Sequence, residues 1–308
     1  MSDEKKQDLT VKPATTLEEQ VSILKSRGLE IENEKEAAQI LEYTNYYRLR
    51  GYYIHLQKDG SDDFIDGTSF NQICALHDFD NELRNLLLKV LLNIEIVARA
   101  RIAYSIAHAW GPMGYREESN YGEDKHDKFE SLMARIDDDL SKSRERFIKT
   151  YREKYNGQFP IWVAVEVMSY GDLSKLYALL PTDLKKNIAK AYDELDETLL
   201  TNWLLCSAIL RNLCAHNSRI YARGIPMPIM IENDVQDKIK EATNAQFEVN
   251  PHSLFSYLLA LRRISNTNVW NEFIDEFEQL LTKYNNVVEL KRLGIPYQGK
   301  IFLEKKLS

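Results

Sequence analysis

The chain has 308 residues, of which 44% are apolar and 28% charged, so it is long enough for about two domains and too apolar for disorder throughout. Only 12 Gly and 8 Pro are present, too few turn formers for a sandwich or barrel of many short strands. Lys and Arg number 40 against 47 Asp and Glu, and at a net charge of −7 any contact with nucleic acid must come from a local patch.

Residues 1–15 are charged and featureless, and a disordered N-terminus is expected there. Their polar opening, MSDEKKQDLT, lacks the apolar core of a signal peptide. Cys74, Cys206 and Cys214 lie in apolar stretches without framework spacing, which fits a reducing compartment and a cytoplasmic protein. Thr16-Leu17-Glu18-Glu19 reads as a capping box opening a helix through Leu24, with Gly28 as its stop. A second helix is expected over 34–47, overlapping an aromatic-basic block from Tyr43 to Tyr53 that carries Arg48 and Arg50. Residues 57–69 read as a polar loop.

The strongest helical signal runs from 70 to about 108. Leu83, Leu87, Val90, Ile94 and Val97 step by four and three, a single apolar stripe. Leu86, Leu88, Leu91 and Leu92 add apolar surface elsewhere, so this helix is expected at the centre of a bundle. Arg84, Lys89, Glu95, Arg99 and Arg101 interrupt it too often for a membrane span. A loop over 111–126 is followed by a charged helix over 128–155. Phe159-Pro160 then interrupts, 162–169 is apolar, and short helices over 171–180 and 182–192 are separated by Pro181. A second strongly apolar helix is expected over 198–221, ended by Gly224-Ile225-Pro226-Met227-Pro228. A boundary is expected within 224–250, then helices near 252–264 and 270–284.

Chemistry concentrates in Leu210-Arg211-Asn212-Leu213-Cys214-Ala215-His216-Asn217-Ser218-Arg219. On a continuous helix Asn212, His216 and Arg219 share one face, while Arg211 lies about 140° around from His216. These residue types suit RNA cleavage without a metal. An imidazole exchanges a proton near neutral pH, a guanidinium holds the phosphate, an amide orients either, and the RNA 2′-OH is itself the nucleophile. The same residues also serve as caps, ion pairs and a satisfied core histidine in proteins with no such activity.

The segment resembles the HEPN superfamily signature, an Arg followed by a polar residue and, four to six residues on, a His. Wider matches resemble the Abi-like family of AbiD/AbiF-type abortive-infection proteins. They are Asn45-Tyr46-Tyr47-Arg48-Leu49-Arg50-Gly51-Tyr52-Tyr53, Phe79-Asp80 with Leu83-Arg84, Ile94-Glu95 with Arg99, and Pro160-Ile161-Trp162 with Glu166 and Ser169-Tyr170-Gly171-Asp172-Leu173-Ser174. The resemblance runs from about residue 16 to 225. It implies an all-α HEPN-type helical bundle and a role in antiphage defence. It also implies cutting of single-stranded RNA without a cofactor or metal, leaving 2′,3′-cyclic phosphate ends. Such proteins commonly pair two motifs across a homodimer or between two domains, and relatives of this group resemble systems that work with a small structured non-coding RNA.

Arg101 and His108, seven residues apart and within about 20° on a helix, form a second Arg–His pattern. They read as a second half-site in the same chain, or as a semi-buried Arg with a helix-end His. Glu95 and Arg99 are spaced for a structural ion pair rather than for catalysis. Arg48 and Arg50 are candidate RNA contacts within a block whose tyrosines read mostly as core. Lys142, Arg144, Arg146, Lys149, Arg152 and Lys154, opposed by Glu145 and Glu153, make the best candidate phosphate-binding stripe, and equally a solvated helix face. Arg219 joins the RNA-binding candidates. Cys206, Cys214 and His216 lack metal-site spacing, and there is no P-loop, G-x-G-x-x-G or G-x-S-x-G.

The expected organisation is therefore a disordered stretch over 1–15, an Abi-like HEPN domain over 16–225 and a smaller helical region over 226–308. Arg211, Asn212 and His216 are its expected catalytic residues, RNA its partner, and no membrane association is expected. The alternatives are an RNA-binding protein that holds a small RNA without cutting it, and a helical partner or inhibitor of another toxin.

Overall fold

The computed structural model describes residues 11 and 13–306, except the side chain of Glu123, and most of the N-terminal stretch expected to be disordered lies outside them. The described residues form thirteen α-helices and six short 3-10 turns, with β pairing confined to the isolated bridges Glu30–Ser69 and Gln57–Phe64. The chain is all-α, as its composition implies. Among the described residues no helix is long and apolar enough to cross a membrane.

The chain divides into two compact units at Asp78/Phe79. In the first, α1 (Leu17–Ser26) packs on α2 (Glu34–Thr44), and α3 (Tyr46–Tyr53) follows. The capping box forms as the sequence predicts: Glu19 N–H donates to Thr16 Oγ1 at 3.2 Å, and Thr16 N–H to the Glu19 carboxylate at 2.7 Å. The second helix ends at Thr44 rather than 47. Asn45 takes a φ of 69°, and its side chain accepts from Tyr47 N–H, so it breaks one helix and caps the next.

The second unit is organised around two long helices. α4 (Phe70–Trp110) begins in the first unit and continues into the second. α10 (Glu197–Ala215) is capped by Asp196 and packs against α8 (Tyr170–Leu179), α9 (Thr182–Lys190) and α12 (Leu254–Ile264). On α4, Leu83, Leu87, Val90, Ile94, Ala98 and Ile102 are buried, the expected stripe with its later turns shifted. The helix is not apolar-covered all round. Leu92, Ile96, Ala100 and Tyr104, each four residues or a multiple apart, are exposed, Ile96 at 65% and Tyr104 at 67%.

The charged stretch expected as one helix is two, α5 (His126–Lys142) and α6 (Arg146–Lys154), joined by the extended residues 143–145. α7 (Ile161–Val167) then packs on α5. Residues 226–308 fall in the same unit as residues 79–225. Trp203 Nε1–H on α10 donates to Met230 O at 2.7 Å, and Tyr257 O–H on α12 donates to Met227 O at 2.7 Å. Helix α13 (Thr267–Lys283) is tied to α4 by Lys89 with Glu272 and Glu276, and by Lys283 with Glu82. The expected boundary within 224–250 instead holds α11 (Asn233–Ala242).

Candidate functional site

α4 and α10 bring three charged residues together. Glu95, 8% exposed, pairs with Arg99 one turn along α4 and with Arg211 on α10, whose Nε lies 3.2 Å from its Oε2. Two guanidiniums share one carboxylate, so one positive charge is left in excess. Arg99 also donates to Met168 O, the C-cap of α7, at 2.7 Å. The Arg211 N–H at Nε does not point at the carboxylate, and it and Arg99 Nη1 are buried without a hydrogen-bond acceptor. Behind Arg211, Tyr170 is fully buried, its hydroxyl 2.6 Å from Ser207 Oγ, and burial pushes its phenol well above the usual range. The Tyr170 ring lies 5.9 Å from the Arg211 guanidinium carbon, within cation–π range.

The free edge of Arg211 turns to solvent along its own helix. Its Nη1 donates to Asn212 Oδ1 at 2.7 Å, which is how a residue 140° around from His216 reaches the exposed end of α10. His216 is the C-cap, its backbone N–H donating to Asn212 O at 2.9 Å. Its imidazole is exposed and makes no hydrogen bond or ion pair with the described residues. Arg211, Asn212 and His216 thus lie along the C-terminal end of α10, with the Glu95–Arg99 pair buried behind Arg211.

Arg219 does not join that face. α10 ends at Ala215 instead of running to 221, because Asn217 takes a φ of 55° and turns the chain. Arg219 Nη1 donates to Tyr221 O and Ala222 O at 2.8 and 2.9 Å. Arg101 and His108 do not meet the site either. The Arg101 guanidinium lies 4.0 Å from the centre of the Tyr192 ring, while His108 packs on Tyr104 with Nδ1 2.8 Å from Tyr104 O. At about 1.5 Å per residue they sit roughly 9 and 20 Å along α4 from Glu95.

In the first unit, Arg48 Nε–H donates to His77 Nε2 at 3.3 Å, and Arg50 lies 3.8 Å from Asp62. Core packing was expected of most of the five tyrosines in that block, but only Tyr52 and Tyr53 are buried, Tyr46 is half-buried, and Tyr43 and Tyr47 are exposed. The candidate stripe is thinner than its sequence. Lys142 pairs with Asp138, Lys149 with Glu153, and Arg152 closes the end of α5 on Leu140 O and Ser141 O. Arg144, Arg146 and Lys154 are exposed and unpaired among the described residues.

One pair carried the family resemblance without an expected role. Asp80 and Arg84, both buried, form an ion pair on α4. Asp80 accepts from Ile220 N–H at 3.0 Å and Tyr221 N–H at 2.7 Å, and Arg84 reaches Ser218 O. The pair holds the turn that follows His216. Its signal was two opposite charges four residues apart on an otherwise apolar helix. Burial pushes the thiols up, Cys206 to about 11 and Cys214 to about 12, so neither is poised as a nucleophile at neutral pH. Among the described residues no group of three or more His, Cys, Asp or Glu is placed to hold a metal.

A model of the Abi-like protein family matches residues 39–222, more than half of the chain and including every residue of this cluster. No curated protein and no solved structure matches the chain.

Proposed function

The chain belongs to the Abi-like family, and from that premise we propose that it acts in abortive infection by cutting RNA at the exposed end of α10. One observation carries the reading: Arg211, anchored from behind by Glu95, extends its Nη1 edge to Asn212, one turn before the exposed His216 at the C-cap of the same helix. The chemistry needs no protein nucleophile. The RNA 2′-oxygen attacks the adjacent phosphorus and the bond to the 5′-oxygen breaks, giving a 2′,3′-cyclic phosphate and a 5′-hydroxyl. One proton leaves the 2′-OH and one reaches the departing oxygen, and His216 serves one of these transfers. Arg211 stabilises charge on the phosphate oxygens, and Asn212 orients Arg211.

A single imidazole per chain serves one proton transfer at a time. Two copies meeting through their motifs would supply both, in keeping with the HEPN resemblance. The exposed residues Leu92, Ile96, Ala100 and Tyr104 support this, since Leu92 lies only about 60° around α4 from Glu95. A second reading is that this end of α10 holds RNA without cutting it, since one imidazole per chain cannot serve both proton transfers.

The test is to purify wild type and His216→Ala from cells, extract the bound nucleic acid and sequence it after cyclic-phosphate-aware ligation. Cyclic-phosphate ends that appear only with the wild type support cleavage at His216. The same intact RNA on both proteins, with no change in other transcripts before or after phage challenge, supports binding alone.

A further inference from the structure

Four aromatic side chains that the cleavage reading does not use line one open groove of about 580 Å³ in the second unit: Trp110, Tyr151, Tyr155 and Trp162. The rings of Tyr151 on α6 and Tyr155 at its C-cap lie 4.8 Å apart at 31°. Asn156 and Gly157, with φ of 50° and 70°, reverse the chain just beyond them. Pro160 follows, and Ile161 N–H donates to Pro112 O at 2.9 Å, which ties the α7 wall to the loop after α4. Tyr155 is 55% exposed and Trp162 46%, and Phe147 extends the aromatic line of α6 at the spacing of four. So much aromatic area left in water on one face marks a contact surface rather than a core.

The surrounding charge indicates what it contacts. Lys154, exposed and unpaired among the described residues, sits in the last turn of α6 between Tyr151 and the C-cap Tyr155, while Arg144 and Arg146, also exposed and unpaired there, lie at the other end of that helix. Lys154 lies about 60° around α6 from Tyr151. Aromatic faces beside free cations fit bases flanked by phosphates. At the rim, Gln158 and Glu117 offer an amide and a carboxylate, and these suit the exocyclic amine of adenine or cytosine, which uracil lacks. We propose that this groove binds single-stranded RNA, stacking unpaired bases on Tyr155 and Trp162 and preferring adenine to uracil. The inference rests on the RNA reading above but concerns a separate site.

The test uses the full chain carrying His216→Ala, so that no strand is cut. Binding of a fluorescein-labelled single-stranded oligoadenylate, an oligouridylate and an oligoadenylate–oligouridylate duplex is measured by anisotropy. Tyr155→Ala and Trp162→Ala, both at exposed positions, are each expected to weaken oligoadenylate binding by about 5- to 150-fold, the range of one lost stacking contact. Tyr155→Phe keeps the affinity, and duplex binding does not change. Unchanged thermal melting shows that the variants are folded. If the parent binds oligoadenylate and both alanine variants bind it equally, the groove is not the contact, while the RNA reading stands. If the parent binds no RNA strand, both readings fall. Saturable binding of a proline-rich peptide in place of RNA would assign the groove to a protein partner instead.

Discussion

Glu95 is the residue on which the candidate site depends most. Replacing it with Gln leaves two guanidiniums facing each other without their shared counter-charge. Breaking a fully buried pair in this way costs about 3–5 kcal/mol. Arg211 keeps some contact with solvent, so about 2–3 kcal/mol is the expected loss in a urea-unfolding experiment. Glu95→Gln combined with Arg99→Met should recover part of it, because the double change removes the excess charge as well as the pair. At this scale the sequence was informative about identity and poor about partners. The HEPN resemblance marked Arg211, Asn212 and His216 as one site, although helical spacing set Arg211 apart from His216. Nothing in it placed Arg211 on Glu95, since the two lie on different helices and meet only through packing. Glu95 and Arg99 were legible as a pair because four residues on one helix suffice to bring them together.

At the scale of elements, starts of helices were easier to read than ends. Asp196 caps α10 by accepting from Thr198 N–H at 2.7 Å and Leu199 N–H at 3.1 Å. The backbone N–H groups, that of Leu199 foremost, hold its carboxyl below the usual carboxylate range. A carboxylate with a depressed folded pKa adds stability that is fully present above the unfolded value of about 4 and is lost as pH falls through the folded one. Asp196→Ala should therefore cost about 1 kcal/mol at neutral pH and less in acid, read as a difference in melting temperature that narrows as the pH falls from 7 toward 3. The end of α10 was misread because no Gly or Pro stands before residue 224. The stop is Asn217 in a left-handed conformation, a role that Asn fills less often than Gly. The same cause hid the end of α2 at Asn45.

For the molecule as a whole, the all-α class followed from composition, but the division at Asp78/Phe79 did not. It falls inside the continuous helix α4, where no linker, Pro or Gly marks it. If two copies pair through α4, Ile96→Asp should leave the melting temperature nearly unchanged, since Ile96 is 65% exposed, and should convert a dimer to a monomer in sedimentation equilibrium. Its RNA cleavage should fall with that of His216→Ala. Equal sedimentation of the two proteins at all concentrations would dispose of pairing through this face. With a net charge of −7, the proposed RNA binding would rest on local cations, so affinity should drop steeply between low and physiological salt for wild type and less steeply for a variant lacking Arg144, Arg146 and Lys154.

The turn after His216 is fastened by Asp80, which lies 140 residues earlier in the chain than Ile220. A contact of that sequence separation cannot form while α10 is being made, and it waits until α4 and α10 have docked. The imidazole therefore acquires its setting late in folding, after the helix that bears it. In pulse-labelled hydrogen exchange, the amides of Ile220 and Tyr221 should gain protection after those in the middle of α10. A nascent or partly folded chain would then carry His216 with the turn beyond it unfastened and Arg211 without Glu95 behind it.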